Sequence, residues 1–155
     1  MTVRTPLVYD AGPAGTAPTE NLLPHSENAT LIFTTFSSCT LTENHATAPD
    51  GTTTAALLAD TSTSVGSHMQ RNYTIPDDDQ VYTWSFYVKK DSDTDRFPTF
   101  WLSFGGDHLV YNYANFNTET GAIHTFSNVR WLSATAETVG DYWRVALTTS
   151  NDSSG

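Results

Sequence analysis

Between Val81 and Asn117, apolar and polar side chains alternate with a period of two through three successive segments. Residues 81–90 (VYTWSFYVKK) set Tyr82, Trp84, Phe86 and Val88 on one side and Thr83, Ser85, Tyr87 and Lys89 on the other. Residues 97–104 (FPTFWLSF) direct Phe100, Leu102 and Phe104 inward and Thr99, Trp101 and Ser103 outward. Residues 109–117 (LVYNYANFN) separate Val110, Ala114 and Phe116 from Tyr111, Tyr113 and Asn115. Successive Cβ atoms of a strand point to opposite faces, so this pattern suits antiparallel strands with one face buried.

The rest of the chain reads the same way. Residues 29–36 predict a first strand, and 48–52 (APDGT) a turn with Pro at its second position. Residues 52–58 predict a strand or one weak helical turn, 67–75 an extended stretch, and 123–132 and 142–149 two further strands. Threonine supplies about one residue in six of the 155. Its β-branched side chain fits a pleated, half-wet surface better than a helix. Many short strands with frequent turns point to a sandwich rather than to βα units.

Residues 1–20 read as an N-terminal arm. Val3–Tyr9 allows a short strand, and 10–20 (DAGPAGTAPTE) is a Gly/Pro-rich linker with nothing to pack. One domain then spans 21–155. Its last apolar segment is followed by Ser150-Asn-Asp-Ser-Ser-Gly. The expectation is an exposed sheet edge at 142–149, with the domain's last strand missing or lent by a neighbour.

Net charge is −10, with seven Lys plus Arg and no basic run. Clustered cations are what neutralise phosphate, so nucleic acid and anionic membrane surfaces are not expected partners. The single cysteine, Cys39, allows no internal disulfide and no Cys/His zinc set. The opening residues lack the apolar stretch of a secretory signal, so synthesis in the cytoplasm is expected. No nucleophile elbow, zinc-protease helix, phosphate loop or dinucleotide fingerprint occurs. The carboxylates gather in loops (Asp77-Asp-Asp, Asp91-Ser-Asp-Thr-Asp), as solvated turn residues do, and the five histidines have no ligand spacing. The reading is non-catalytic.

The informative constellation is aromatic. By alternation, Tyr87, Trp101, Tyr111 and Tyr113 share the face opposite the core, with Arg144 alongside. Sugar rings present C–H groups that stack on aromatic rings, and neighbouring polar groups take the hydroxyls. Such a wall suits a glycan, although aromatic enrichment also marks protein interfaces. Trp84, Trp131 and Trp143 read as core or sheet-edge packing.

Five motifs occur in a fixed order: Asn21-Leu-Leu-Pro-His-Ser-Glu, Thr47-Ala-Pro-Asp-Gly-Thr-Thr-Thr-Ala, Tyr82-Thr-Trp-Ser-Phe-Tyr-Val-Lys, Asn115-Phe-Asn-Thr-Glu-Thr-Gly and Gly140-Asp-Tyr-Trp-Arg-Val-Ala-Leu-Thr. This set, covering residues 21–149, resembles the concanavalin-like or carbohydrate-binding-module-like jelly-roll domains of bacteriophage tail, fibre and other virion proteins. The resemblance implies an antiparallel two-sheet jelly roll on a virus particle that attaches to host-surface glycan. It also implies virion-protein partners met through residues 1–20, and a homo-oligomer that is trimeric in a fibre. No cofactor is expected, but jelly-roll modules often hold a structural calcium, to which Asp50, Asp77 and Asp79 could contribute. The alternative is a purely structural protein that decorates or anchors the capsid, neck or tail. A polysaccharide-active enzyme is the third reading.

Overall fold

The computed structural model describes residues 2–9, 28–75, 80–92, 97–104, 110–125 and 131–150, with 2–9, 103, 104, 110 and 111 described by their backbone alone. Among the described residues the fold is all-β apart from one helical turn. Its strands are β1 (Thr2–Tyr9), β2 (Thr35–Ser37), β3 (Cys39–Ala46), β4 (Ala55–Asp60), β5 (His68–Gln70), β6 (Val81–Lys89), β7 (Thr99–Phe104), β8 (Val110–Phe116), β9 (Ile123–Thr125), β10 (Trp131–Val139) and β11 (Tyr142–Ser150), and α1 is Ala29–Ile32. A large antiparallel sheet runs β10-β11-β6-β1-β4-β3, a small one runs β7-β8-β9, and β2 pairs with β5.

The alternation of the 81–117 region appears as the main core. Phe86 and Val88 of β6 join Val145 and Leu147 of β11 on the inner face of the large sheet. Against them stand Phe100 of β7 and Ala114 and Phe116 of β8, so the small sheet lies face to face on the large one. The Phe86 and Phe100 ring centroids are 4.1 Å apart, Trp84 meets Phe100 edge-on at 5.8 Å, and Phe116 lies 6.1 Å beyond Phe100. Each such fully buried side chain contributes roughly 1.5–3 kcal/mol of transfer free energy. Trp84, Trp131 and Trp143 pack against this core, as expected of them.

The register extends the same layer sideways. Val3 pairs with both Val88 and Ala56, which sets Ala56 on the core side of the large sheet. There Ala56 is buried with Ala29, Ile32 and Phe33, and Leu41 and Met69 pack beside them. The second layer of this sandwich-like fold therefore has two pieces, the small sheet over β6 and β11 and the helical turn with β5 over β4 and β3.

Several expectations change. Residues 29–36 are a helical turn followed by a short strand, because Asn28 caps the turn: its Oδ1 accepts from Leu31 N (3.1 Å) and Thr30 Oγ1 (2.7 Å). The helical option for 52–58 fails, since Ala55–Asp60 is a strand. The single strand at 123–132 is replaced by two, β9 and β10. Thr2–Tyr9, read as the head of an arm with a possible short strand, lies inside the large sheet between β6 and β4. The linker part, 10–20, lies outside the described residues. The last apolar segment leaves no edge, because β11 is flanked by β6 on one side and β10 on the other.

The outer face of the large sheet is also partly covered. Ala48, Ala55 and Tyr142 are buried together there, with Ala46 and Tyr87 against them. Tyr142 donates its hydroxyl to the Thr47 carbonyl at 2.7 Å, which ties the segment before the Ala48–Gly51 turn onto the sheet. Replacing Tyr142 with Phe is expected to cost about 1 kcal/mol, because a part-buried hydrogen bond to the Thr47 carbonyl is lost. Thermal unfolding and faster amide exchange at Ala48 and Gly51 would show it; unchanged exchange there would contradict the tie.

Candidate functional site

The small sheet has one face in the core and the other outward, and β7 and β8 fix what the outward face displays. Trp101 pairs with Tyr113, Thr99 with Asn115, and Ser103 with Tyr111, while Asn115 pairs on its other side with His124 of β9. Phe100 is 7% exposed and Trp101 is 55% exposed, so the two neighbours have the sides that the alternation assigns to them. The Trp101 and Tyr113 rings lie 5.2 Å apart at 37°. One row away Thr99 donates its hydroxyl to Asn115 Oδ1 at 2.6 Å. The result is an aromatic pair beside a row of hydroxyl, amide and imidazole.

Rigidity comes from beneath. Trp131 of the large sheet donates its indole N–H to the Tyr113 carbonyl at 3.2 Å, joining β10 to β8 across the layers. Asn112, two residues before Ala114 and wholly buried, donates from Nδ2 to Thr149 Oγ1 at 3.4 Å. These polar links cross between the two sheets.

At the end of β8, Asn117 Oδ1 accepts from the backbone N–H of Glu119 and of Thr120, both at 2.9 Å, and bends the chain back towards β9. Gly121 closes that turn at φ +76°, and a Cβ there would stand 2.7–2.9 Å from the Trp143 ring. The Trp143 indole N–H donates to the Thr118 carbonyl at 2.9 Å, and Lys90 Nζ sits 4.9 Å over the same ring. The Asn115–Gly121 and Gly140–Thr148 motifs thus meet through Trp143 and Gly121.

Of the five aromatic and basic residues expected on a single wall, the four whose side chains are described divide between two. Trp101 and Tyr113 stand on the outer face of the small sheet; Tyr111 is the register partner of Ser103, and its side chain lies outside the described residues. Tyr87 and Arg144 are register partners on the outer face of the large sheet. Two sheets packed core to core turn their outer faces away from each other, about 10 Å apart at the backbone. Alternation sorts sides within each strand and carries no information on which outer face a strand joins. Tyr87 is partly buried beside Ala48 and Tyr142, and Arg144 Nη1 lies 3.8 Å from Glu137 Oε2 in an exposed pair. Such pairs are worth about 0–1 kcal/mol.

Of the calcium candidates, Asp50 is engaged in its turn, accepting from Thr52 N at 3.0 Å and Thr52 Oγ1 at 2.7 Å. Asp77 and Asp79 lie outside the described residues. Among the described residues no three His, Cys, Asp or Glu side chains converge as a ligand set. The Asp60 carboxyl is held below the usual aspartate range by the Ser67 hydroxyl and, secondarily, by the Ser62 N–H. That shift favours an acceptor that orders its loop, opposite in direction to the raised value of a general acid.

Alternation already sets Thr99 and Asn115 on the outward side of their strands, but only the cross-strand register aligns them with His124 in one row beside Trp101 and Tyr113. Compared with known proteins, the chain matches no family model, no curated protein and no solved structure.

Proposed function

We propose that the chain is a non-catalytic jelly-roll module of a bacteriophage virion protein that contacts host-surface glycan through the outer face of its small sheet. The observation that carries the glycan reading is Trp101, more than half exposed, ring-to-ring with Tyr113 and flanked by Thr99, Asn115 and His124. A sugar is apolar on its faces and polar around its rim, and this surface has both in adjacent rows. Size argues in the same direction. Strands of six, seven and three residues about 4.8 Å apart make a flat footprint of about 260 Å², well below the roughly 800 Å² per partner of a stable protein interface. The placement on a virion and the jelly-roll topology rest on the ordered motif set.

The test is an array of bacterial surface polysaccharides together with whole host cells. Wild-type protein is expected to bind, and Trp101→Ala to lose at least about tenfold in affinity. Thermal unfolding of that variant should be nearly unchanged, since the ring is exposed. Tyr87→Ala should bind like wild type. An array and cells that show no binding reject the glycan reading.

A further inference from the structure

Phe116 N–H donates to the Pro98 carbonyl at 3.0 Å, continuing the β7–β8 ladder beyond Thr99. Alternation along that continued ladder places Phe97 on the side of Thr99 and Trp101, and Phe97 is 51% exposed. The outer face therefore carries a second exposed ring, four residues from Trp101 along one strand direction, a separation of about 13 Å. Thr99, bonded to Asn115, lies between the two rings.

Given the glycan reading above, on which this rests, we infer that the face takes an extended, uncharged glycan chain lying along β7, with Trp101 and Phe97 as separate stacking positions. A disaccharide is too short to cover both rings. A longer chain reaches from one to the other and passes its hydroxyls over Thr99 and Asn115. Among the described residues of this face, Phe97, Thr99, Trp101, Tyr113, Asn115 and His124, there is no Asp, Glu, Lys or Arg. The chain as a whole carries −10, so an acidic polysaccharide approaching this face meets general repulsion with no cation among those residues to offset it. Two contacts, one on β7 and one on the segment leading into it, also explain how a face this small could hold a polymer: the second contact is made at the high effective concentration set by the first.

The probes are linear neutral cello-, malto-, xylo- and laminari-oligosaccharides, disaccharide through hexasaccharide, titrated against the full chain by calorimetry. At least one series is expected to bind with affinity rising about tenfold or more between disaccharide and hexasaccharide. Phe97→Ala should remove most of that rise while leaving disaccharide affinity at the wild-type value, whereas Trp101→Ala should weaken every length. Because both rings are exposed, neither variant is expected to disturb folding, and thermal unfolding checks this. Binding that depends on Trp101 but is independent of chain length, or of Phe97, overturns this inference and leaves the glycan reading standing. A preference for acidic over neutral chains of equal length overturns the uncharged class. No binding by wild type in any series, together with a silent polysaccharide array, overturns both.

Discussion

Replacing Phe86 with alanine lowers the stability of the fold by about 3–5 kcal/mol, the range of a fully buried Phe→Ala change with a cavity left behind. Phe86 is 2% exposed and is the meeting point of the two sheets, with Trp84 at 4.7 Å and Phe100 at 4.1 Å between ring centroids. Its strand neighbours Ser85 and Tyr87 face the other way, and its cross-strand partner Val145 is itself wholly buried. Two strands and the facing sheet fix the walls of the hole, so little collapse can fill it. For a domain whose net stability is about 5–15 kcal/mol, the change removes a large share. In a chain of this length it corresponds to a fall in melting temperature on the order of 10 °C. Chemical denaturation of the variant measures it. A loss under about 1 kcal/mol would mean that the sheets do not close on Phe86.

Gly121→Ala is expected to cost about 2–5 kcal/mol through two independent effects. The backbone at Gly121 has φ +76°, where an L side chain is strained, and the added Cβ would lie 2.7–2.9 Å from three carbons of the Trp143 ring. That ring cannot simply swing aside. Its N–H is bonded to the Thr118 carbonyl, and it meets Phe116 edge-on with centroids 6.4 Å apart. Gly140 provides the comparison, because it too has positive φ, +55°, but nothing lies within 4 Å of its Cβ direction. Gly140→Ala should therefore show the backbone penalty alone, about 1–2 kcal/mol. Equal losses in the two variants would show that Trp143 does not press on Gly121.

The parts of the fold that could be read from the amino-acid order are those where burial differs sharply between adjacent residues. Phe100 beside Trp101 is such a place, and there the period-two pattern assigns the correct sides. β3, Cys-Thr-Leu-Thr-Glu-Asn-His-Ala, is an edge strand with little buried on either face, so no apolar stripe announces it. β10 is hidden for a related reason. Its core-side residues Ala134 and Ala136 are small, and a strand of Ser, Ala, Thr and Glu looks like loop composition. The helical turn at Ala29–Ile32 depends on one cap, Asn28, in a segment whose β-branched and aromatic residues suggest a strand. At the candidate site, Trp101 and Tyr113 were legible as displayed rings. Their separation from Tyr87 and Arg144 was not, because it follows from sheet membership, which depends on pairings far apart in the chain. Asn112 shows the converse: a polar residue within an alternating strand is placed inside the core by strand parity, where Thr149 receives its hydrogen bond.

The claim that joins these observations is that the small sheet's outward face, rather than the large sheet's, meets the ligand. Isotope-labelled protein titrated with the tightest-binding oligosaccharide and followed by NMR tests it directly. The predicted result is a shift of the Trp101 indole N–H and of the Thr99, Trp101, Tyr113 and Asn115 amides, with Tyr87 and Arg144 unmoved. Shifts centred on Tyr87 and Arg144, with the Trp101 indole signal unchanged, would contradict it.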